Sequence, residues 1–300
     1  MAANTTTAYR RQWGRFSVWC AEQDRTALPA TAETLTEYVV AMSDIGLGAS
    51  TIGQAISAIR TVHRIGGHDA PSGEGARLAL RAHRRDRADA GHRARQAPPI
   101  TITALRSMID ATDPSTAIGA RDRLLLVLGL AMMGRRSELA ALLFSDVVET
   151  ADGLEIHVRR SKRDQDARGA VVAVPRGQHA DTDPVRLLAA WREALAEQGV
   201  AAEGHVLRSV TRHGRVGASI SPAAINNAVR AAAIRAALPG AEDFTAHSLR
   251  AGGATSAYRA GAPVSAIASH GRWAPNSPVV LGYIRSVDRW ADNPMKGVGL

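Results

Sequence analysis

Cysteine is almost absent from this 300-residue chain: Cys20 stands alone. No internal disulfide can form, and a reducing, cytoplasmic setting is expected. Long apolar runs are missing too. The longest, Leu124 to Met133, is too short to span a bilayer and reads as a buried helix, so no membrane partner is expected. The opening MAANTTTAYRRQW has no apolar segment of the kind a signal peptide needs, and secretion is not expected. There is no internal repeat and no low-complexity tract. Lysine is confined to Lys162 and Lys296, and tyrosine to Tyr9, Tyr38, Tyr258 and Tyr283. Arginine in place of lysine fits a base-composition bias, but it makes a lysine in a chemically useful place worth tracing.

What the chain does have is positive charge. Its formal net charge is +9, which favours polyanionic partners; a generally basic soluble enzyme is the plainer alternative. The first hundred residues read as a bundle of four or five helices. Tyr9, Trp13, Phe16 and Cys20 recur at helical spacing, a stripe better explained as core than as a base-stacking platform. Thr31 starts a second helix, which Gly46 ends. Ser50 is the expected cap of a third, with Ile52, Ile56, Ile59 and Val62 on its apolar face and Gly66-Gly67 as its stop. A fourth runs from about Gly75 to Arg87. On it Arg77, Arg81, Arg84 and Arg85 recur at i, i+4, i+7 and i+8 as one basic stripe. Solvated helix faces usually interleave both signs, whereas Arg77 to Arg95 holds seven arginines against Asp86 and Asp89; DNA contact is the expectation. His83 and His92 are too isolated for metal ligation, and no metal site is expected. The stretch ADAGHRARQAPPI (88–100) reads as a linker. It separates a first domain, 1–95, from a second, 101–300, through a joint at 96–100.

The second domain mixes helices with a little sheet. Thr101 or Thr103 caps a helix to about Ala111, and 116–133 forms another with Arg121 and Arg123 facing outward. After Gly134 comes Arg135-Arg136-Ser137-Glu138. Arg135 and Glu138 lie three apart, so the carboxylate can hold the guanidinium, although such a pair alone is commonplace. LEIHVRR (154–160) and AVVAVP (170–175) read as a β-hairpin whose charged loop carries Lys162. In isolation that lysine is an ordinary solvated one. Helices follow at about 183–198, with Trp191 inward, and at 221–237, capped by Ser221 with Pro222 in its first turn.

Chemistry concentrates in residues 244–285, FTAHSLRAGGATSAYRAGAPVSAIASHGRWAPNSPVVLGYIR. His247 and Arg250 share a helix face, so an imidazole and a guanidinium can converge on one anion. An always-charged planar fork beside a proton-handling ring suits a phosphodiester better than a carbonyl. Gly252-Gly253-Ala254 gives that helix a small face for close packing. Tyr283, on a further helix, is a candidate nucleophile; Tyr258, amid Gly and Ala, is the rival for which a packing role is expected.

Arg135 with Glu138, Lys162, His247-x-x-Arg250, Trp273 and Tyr283, in that order, resemble the tyrosine recombinase (phage integrase) family, in its Cre-like branch with tryptophan at the sixth position. The resemblance runs over essentially the whole chain. Trp273 and Tyr283 lie ten positions apart, one more than the Cre-like pattern, so His270 competes for the sixth position, as Arg136 does with Arg135. The fold implied is mainly α: a SAM-like, helical core-binding domain and a mixed α+β catalytic domain with a small β-hairpin or sheet, together a C-shaped DNA clamp. The chemistry implied is site-specific cutting and rejoining of double-stranded DNA through a 3′-phosphotyrosyl intermediate, without metal or ATP, by a homotetramer on paired sites. Tyr283 would attack. Arg135 and Arg250 would hold the non-bridging oxygens, His247 would assist proton removal, Trp273 would donate to the phosphate, and Lys162 would protonate the leaving 5′-oxygen. A type IB topoisomerase, or a non-catalytic DNA-binding relative, would share parts of this pattern. Trp290, Met295, Val298 and Leu300 in the tail need an apolar partner, which the resemblance makes a neighbouring protomer.

Overall fold

The computed structural model describes residues 3–92, 97–159, 169–275 and 277–287, together with Asn293, Met295 and Val298. Twelve α-helices and one small sheet are found among these residues. The chain divides into two compact units, Met1–Arg95 and Gln96–Leu300.

The first unit is four helices: α1 (Ala3–Glu22), α2 (Ala32–Asp44), α3 (Ala49–Ile65) and α4 (Glu74–Asp89). Phe16 and Cys20 of α1 are buried with Leu35, Tyr38 and Val39 of α2 and Ile52, Ile56 and Ile59 of α3. Phe16 meets Tyr38 edge-on, with centroids 5.1 Å apart, and Trp13 packs against the same cluster, so these members of the stripe are core, whereas Tyr9 lines a cavity with Arg60, Arg64 and Arg77. Thr31 caps α2 by accepting from the Thr34 amide at 3.1 Å. The cap of α3, however, is Gly48, which has no side chain to offer, and Ser50 lies inside the first turn. Arg77, Arg81, Arg84 and Arg85 are all exposed, whereas His83, in the same helix, is buried and bonded to the Leu47 carbonyl at 2.8 Å. Arg93 and Arg95 lie outside the described residues.

The second unit is built on α6 (Ala117–Ala131), an apolar helix covered on nearly every side. Before it comes α5 (Ile102–Asp110), capped by Thr101; after it comes α7 (Arg136–Ala141). Strands β1 (Val147–Glu149), β2 (Gly153–Val158) and β3 (Ala170–Pro175) form an antiparallel sheet in the order β1-β2-β3. The third strand, β1, is too short to show an alternation in sequence. Its neighbour Asp146 holds Arg159, at the end of β2, at 2.5 Å. That contact fixes the base of the hairpin whose loop, with Lys162, lies outside the described residues. Next come α8 (Pro184–Ala196) and α9 (Pro222–Arg235), started by Asp183 and Ser221 side chains that accept from the Val185 and Ala224 amides. Trp191 is fully buried and donates its indole N–H to the Val206 carbonyl at 2.7 Å. The chain closes with α10 (Ala246–Arg259), α11 (Val264–His270) and α12 (Pro278–Val287).

Arg121 does not face outward. It is 5% exposed, paired with Asp122 at 2.7 Å and donating to the Arg208 carbonyl at 2.8 Å. Asp122 also takes Arg235 of α9 at 3.1 Å. A guanidinium is admitted to an apolar helix face when its charge and N–H groups are matched there, and periodicity does not reveal such a match. Trp290 and Leu300 of the tail lie outside the described residues; Met295 and Val298 are exposed.

Helix α10 reaches its neighbours through glycine. A Cβ on Gly252 would run into the Ile100 carbonyl, and one on Gly253 into the Leu130 carbonyl of α6. These obstacles are backbone and cannot swing aside. Gly253→Ala should therefore destabilise the protein by about 1–3 kcal/mol. Gly282→Ala, where nothing lies within 4 Å, should stabilise α12 by up to about 1 kcal/mol. Thermal or denaturant unfolding reads both, and equal shifts would dismiss the close-approach account.

Candidate active site and basic face

Two local devices set the site. Thr245 caps α10 by accepting from the His247 amide at 3.2 Å, while Ser248 accepts from the Thr245 amide at 3.1 Å. This reciprocal box starts α10 one residue before His247 and puts His247 and Arg250 on one face. At the start of α7, Glu138 accepts from the Arg135 backbone amide at 3.0 Å and pairs through its other oxygen with the Arg135 guanidinium. Arg135 is half-buried; Arg136 points to solvent.

Arg250 is 2% exposed. Its Nη1 donates to the Met133 carbonyl, its Nη2 to the Gly271 carbonyl at 2.6 Å, and its Cζ sits 3.7 Å above the Trp273 ring. That stack is possible because Gly271 has no side chain; a Cβ there would enter the Trp273 ring. Among the described residues these are the two N–H groups of five that find a partner, which leaves donors for a ligand. The Tyr283 hydroxyl is hydrogen-bonded to His247 Nε2. The rings of Trp273 and His247 flank it with centroids 5.9 and 5.5 Å away. A small apolar cluster seats the tyrosine: Met133, Ala251, Ala254, Ile267, Ala268 and Val280. Tyr258 packs at its margin.

Arg135, Glu138, His247, Arg250, Trp273 and Tyr283 are thus brought into one place. His270 is turned away, its Nε2 bonded to the Ala131 carbonyl at 2.7 Å. Lys162 lies outside the described residues. Arg272 went unread in the sequence. It pairs with Glu138 at 2.8 Å, with side-chain exposures of 8% and 2%. Nothing local signals this contact, whose partners are 134 residues apart.

Electrostatics follow from crowding cations around one carboxylate. Burial pushes Glu138 up, but Arg272, the Arg135 amide and the Arg135 guanidinium outweigh it and hold the carboxyl below its ordinary value. Arg250 is lowered by burial first and then by Arg135. His247 keeps some exposure, yet the protein around its ring, then Arg250 and Arg135, hold it below the usual imidazole value. Burial raises Tyr283, while Arg250 and Arg135 pull the other way. Such a site holds a neutral imidazole against a phenol, beside guanidinia short of negative charge. An arriving anion would relieve them.

The first unit carries a separate basic face. The Arg77 side chain shares a cavity of about 620 Å³ with Arg60 and Arg64 of α3. Arg60 Nη1 and Arg77 Nη2 stand 2.8 and 3.1 Å from where a Cβ of Gly73 would be. Arg60 Nε is buried and unbonded. Among the described residues no carboxylate pairs with Arg60, Arg77, Arg81, Arg84 or Arg85. The repeats of Arg60 and Arg64 on α3 were legible as positions i and i+4, but only the packing of α3 on α4 brings them beside the stripe.

Residues 100–288 match the phage integrase family, and residues 1–65 match the N-terminal SAM-like domain of phage integrases. An integrase/recombinase XerD homologue from Selenomonas ruminantium is 32% identical over 264 residues, 85% of this chain and 74% of that protein. The recombinase Cre of Escherichia phage P1 is 28% identical over 297 residues, 93% and 82% of the two chains. Among solved structures, XerH site-specific recombinase bound to difH substrate aligns with TM-score 0.56 at 17% identity, over 90% of this chain and 72% of that one. A lambda integrase dimer bound to a COC′ core site gives 0.55 at 14%, over 96% and 91%. The mainly helical fold with one small antiparallel sheet is the fold of these proteins. This chain belongs to the phage integrase family, the tyrosine recombinases, which are DNA breaking and rejoining enzymes.

Glu138→Gln should lower stability by about 3–5 kcal/mol, because Arg135 and Arg272 lose a buried countercharge. The folded carboxyl has a depressed pKa. Its contribution is therefore present above the unfolded value, about 4.3, and fades as pH falls below it. Unfolding free energies of both proteins at pH 7 and pH 3.5 check this: the gap between them should narrow in acid.

Proposed function

We propose that this chain is a site-specific DNA recombinase that cuts and rejoins strands through a covalent 3′-phosphotyrosyl intermediate. The observation that carries the reading is the hydrogen bond between Tyr283 and His247 in a pocket shared with Arg135 and Arg250. In this reading Tyr283 Oη attacks the scissile phosphorus while its proton passes to His247 Nε2. The Arg135 and Arg250 guanidinia and the Trp273 indole N–H meet the charge on the non-bridging oxygens. As the phosphorus–O5′ bond breaks, Lys162 gives a proton to the leaving oxygen. Attack by a new 5′-hydroxyl on the tyrosyl phosphate reverses each step, so the link conserves the bond energy and no cofactor is called for.

The same proposal makes 1–95 the core-binding unit and 101–300 the catalytic unit, joined at 96–100, with Arg77, Arg81, Arg84 and Arg85 on the DNA. It takes double-stranded DNA with paired sites as substrate, bound by a homotetramer; a lambda integrase tetramer on a Holliday junction is among the structures of similar fold. No described helix is long and apolar enough to cross a membrane. A buried single cysteine, Cys20, accords with a cytoplasmic setting.

The deciding experiment uses a duplex selected from random DNA by its affinity for the protein. Tyr283→Phe should bind it like the wild type and leave no covalent protein–DNA complex on denaturing gels; a covalent complex from this variant would move the nucleophile to Tyr258. Lys162→Ala and Lys162→Arg should cleave poorly, yet recover on a substrate whose bridging 5′-oxygen is sulfur, a leaving group that needs no proton. Equal defects on both substrates would remove Lys162 from the proton transfer. A wild type equally active on one-site and two-site plasmids would point to strand relaxation instead.

Replacing Arg77, Arg81, Arg84 and Arg85 by glutamate should weaken binding and flatten its salt dependence by about one log–log unit for each phosphate the protein no longer neutralises. Titrations at several salt concentrations measure the slope; an unchanged slope means a solvated face.

A further inference from the structure

We infer that Arg272 is a positioning residue of the recombination site: by clamping Glu138 it fastens the Gly271–Trp273 turn to the start of α7. The inference rests on the reading of the site given above and adds one residue to it.

The backbone is the first sign. Arg272 has φ 57°, a left-handed conformation that disfavours side chains and in which glycine is the default. Holding a non-glycine residue there is unfavourable, and the conformation persists where surrounding contacts impose it. Those contacts are present. Besides the bridge to Glu138, Arg272 Nη1 donates to the His270 carbonyl at 2.9 Å and the Met132 carbonyl at 3.3 Å. A long cation is therefore kept where the backbone alone would select glycine.

The turn it occupies is the second sign. The Arg272 carbonyl accepts from Arg135 Nη2 at 3.3 Å, and the Gly271 carbonyl accepts from Arg250 Nη2 at 2.6 Å. The next residue, Trp273, lies under Arg250. Backbone and ring of three successive residues thus orient both phosphate-facing guanidinia, and the Arg272 side chain ties that turn to the carboxylate that holds Arg135. Without Arg272, Glu138 keeps its burial and loses its chief countercharge. It should then take up a proton more readily and release Arg135 from its present direction.

Arg272→Gly tests this, since it removes the side chain and the backbone penalty together; Arg272→Lys keeps a cation on an unbranched stem. With the selected duplex, Arg272→Gly should bind within about twofold of wild type and form the covalent complex about tenfold more slowly at pH 8. The defect should deepen as pH falls, because Glu138 takes up its proton at a higher pH than in the wild type, and Arg272→Lys should restore part of the rate. A wild-type rate at every pH overturns the proposal. So does a defect that is flat with pH and matches only the fraction unfolded, which is what a merely structural residue would give. If the wild type itself forms no covalent complex, the recombinase reading fails first. The clamp is then judged by unfolding alone, in a double-mutant cycle of Arg272→Gly with Glu138→Gln: a coupling energy indistinguishable from zero sinks it.

Discussion

A single buried carboxylate makes the rest of the site possible. Arg135, Arg250 and Arg272 approach one another inside protein, where two unit charges 4 Å apart repel by about 4 kcal/mol at an effective dielectric near 20. Glu138 pairs with two of them and is itself 6% exposed. The third, Arg250, has no carboxylate in direct contact among the described residues and rests on carbonyl dipoles and the face of Trp273. The compensation is partial by design of the fold. Among the described residues one carboxylate faces three guanidinia, and the remainder is a standing demand for an anion.

The apolar parts decide where that demand is felt. Gly252 and Gly253 let α10 lie against α6 and the Ile100 segment so closely that a methyl group would not fit. Arg250, on the same helix, is thereby carried to the carbonyl of Met133. Met133 also belongs to the cluster that seats Tyr283. Packing thus sets the distance between the Tyr283 ring and the cations, and the caps at Thr245 and Arg135 set the rotation of each helix.

How much of this can be read beforehand differs with the range of the interaction. Caps are local: Thr31 and Ser221 start the helices their chemistry favours, whereas before α10 both Asp243 and Thr245 qualify by residue type and Thr245 is the cap. Gly48 displaces Ser50 as a cap because a backbone turn can begin a helix unaided. The stripe on α4 and the His247–Arg250 pair follow from helical spacing, whereas spacing leaves the rivalry of Trp273 with His270 open. The third dimension shows only where each side chain lies: His270 is held by the Ala131 carbonyl, while Trp273 stacks on Arg250. Arg121 and Arg272 look like surface arginines until their distant partners are known, and β1 is three residues long. The two arginines depend on contacts between segments far apart in the chain, to which periodicity is blind, whereas β1 is merely too short to show an alternation.

The two groups of arginines are therefore different instruments. Among the described residues those on α3 and α4 have no carboxylate partner, and most are open to solvent. Their attraction to a polyanion is long-ranged, weakly directional and screened by salt within about 10 Å at 0.1 M. Those around Glu138 are buried, fixed by backbone carbonyls, and aimed at a point. Their field is screened little, and their N–H groups need no reorganisation when a phosphate arrives. Raising ionic strength should thus loosen the first grip long before it weakens the second. Once a phosphate is seated against Arg135 and Arg250, the rate of the step beyond should depend on salt far less than the affinity that brought the DNA there.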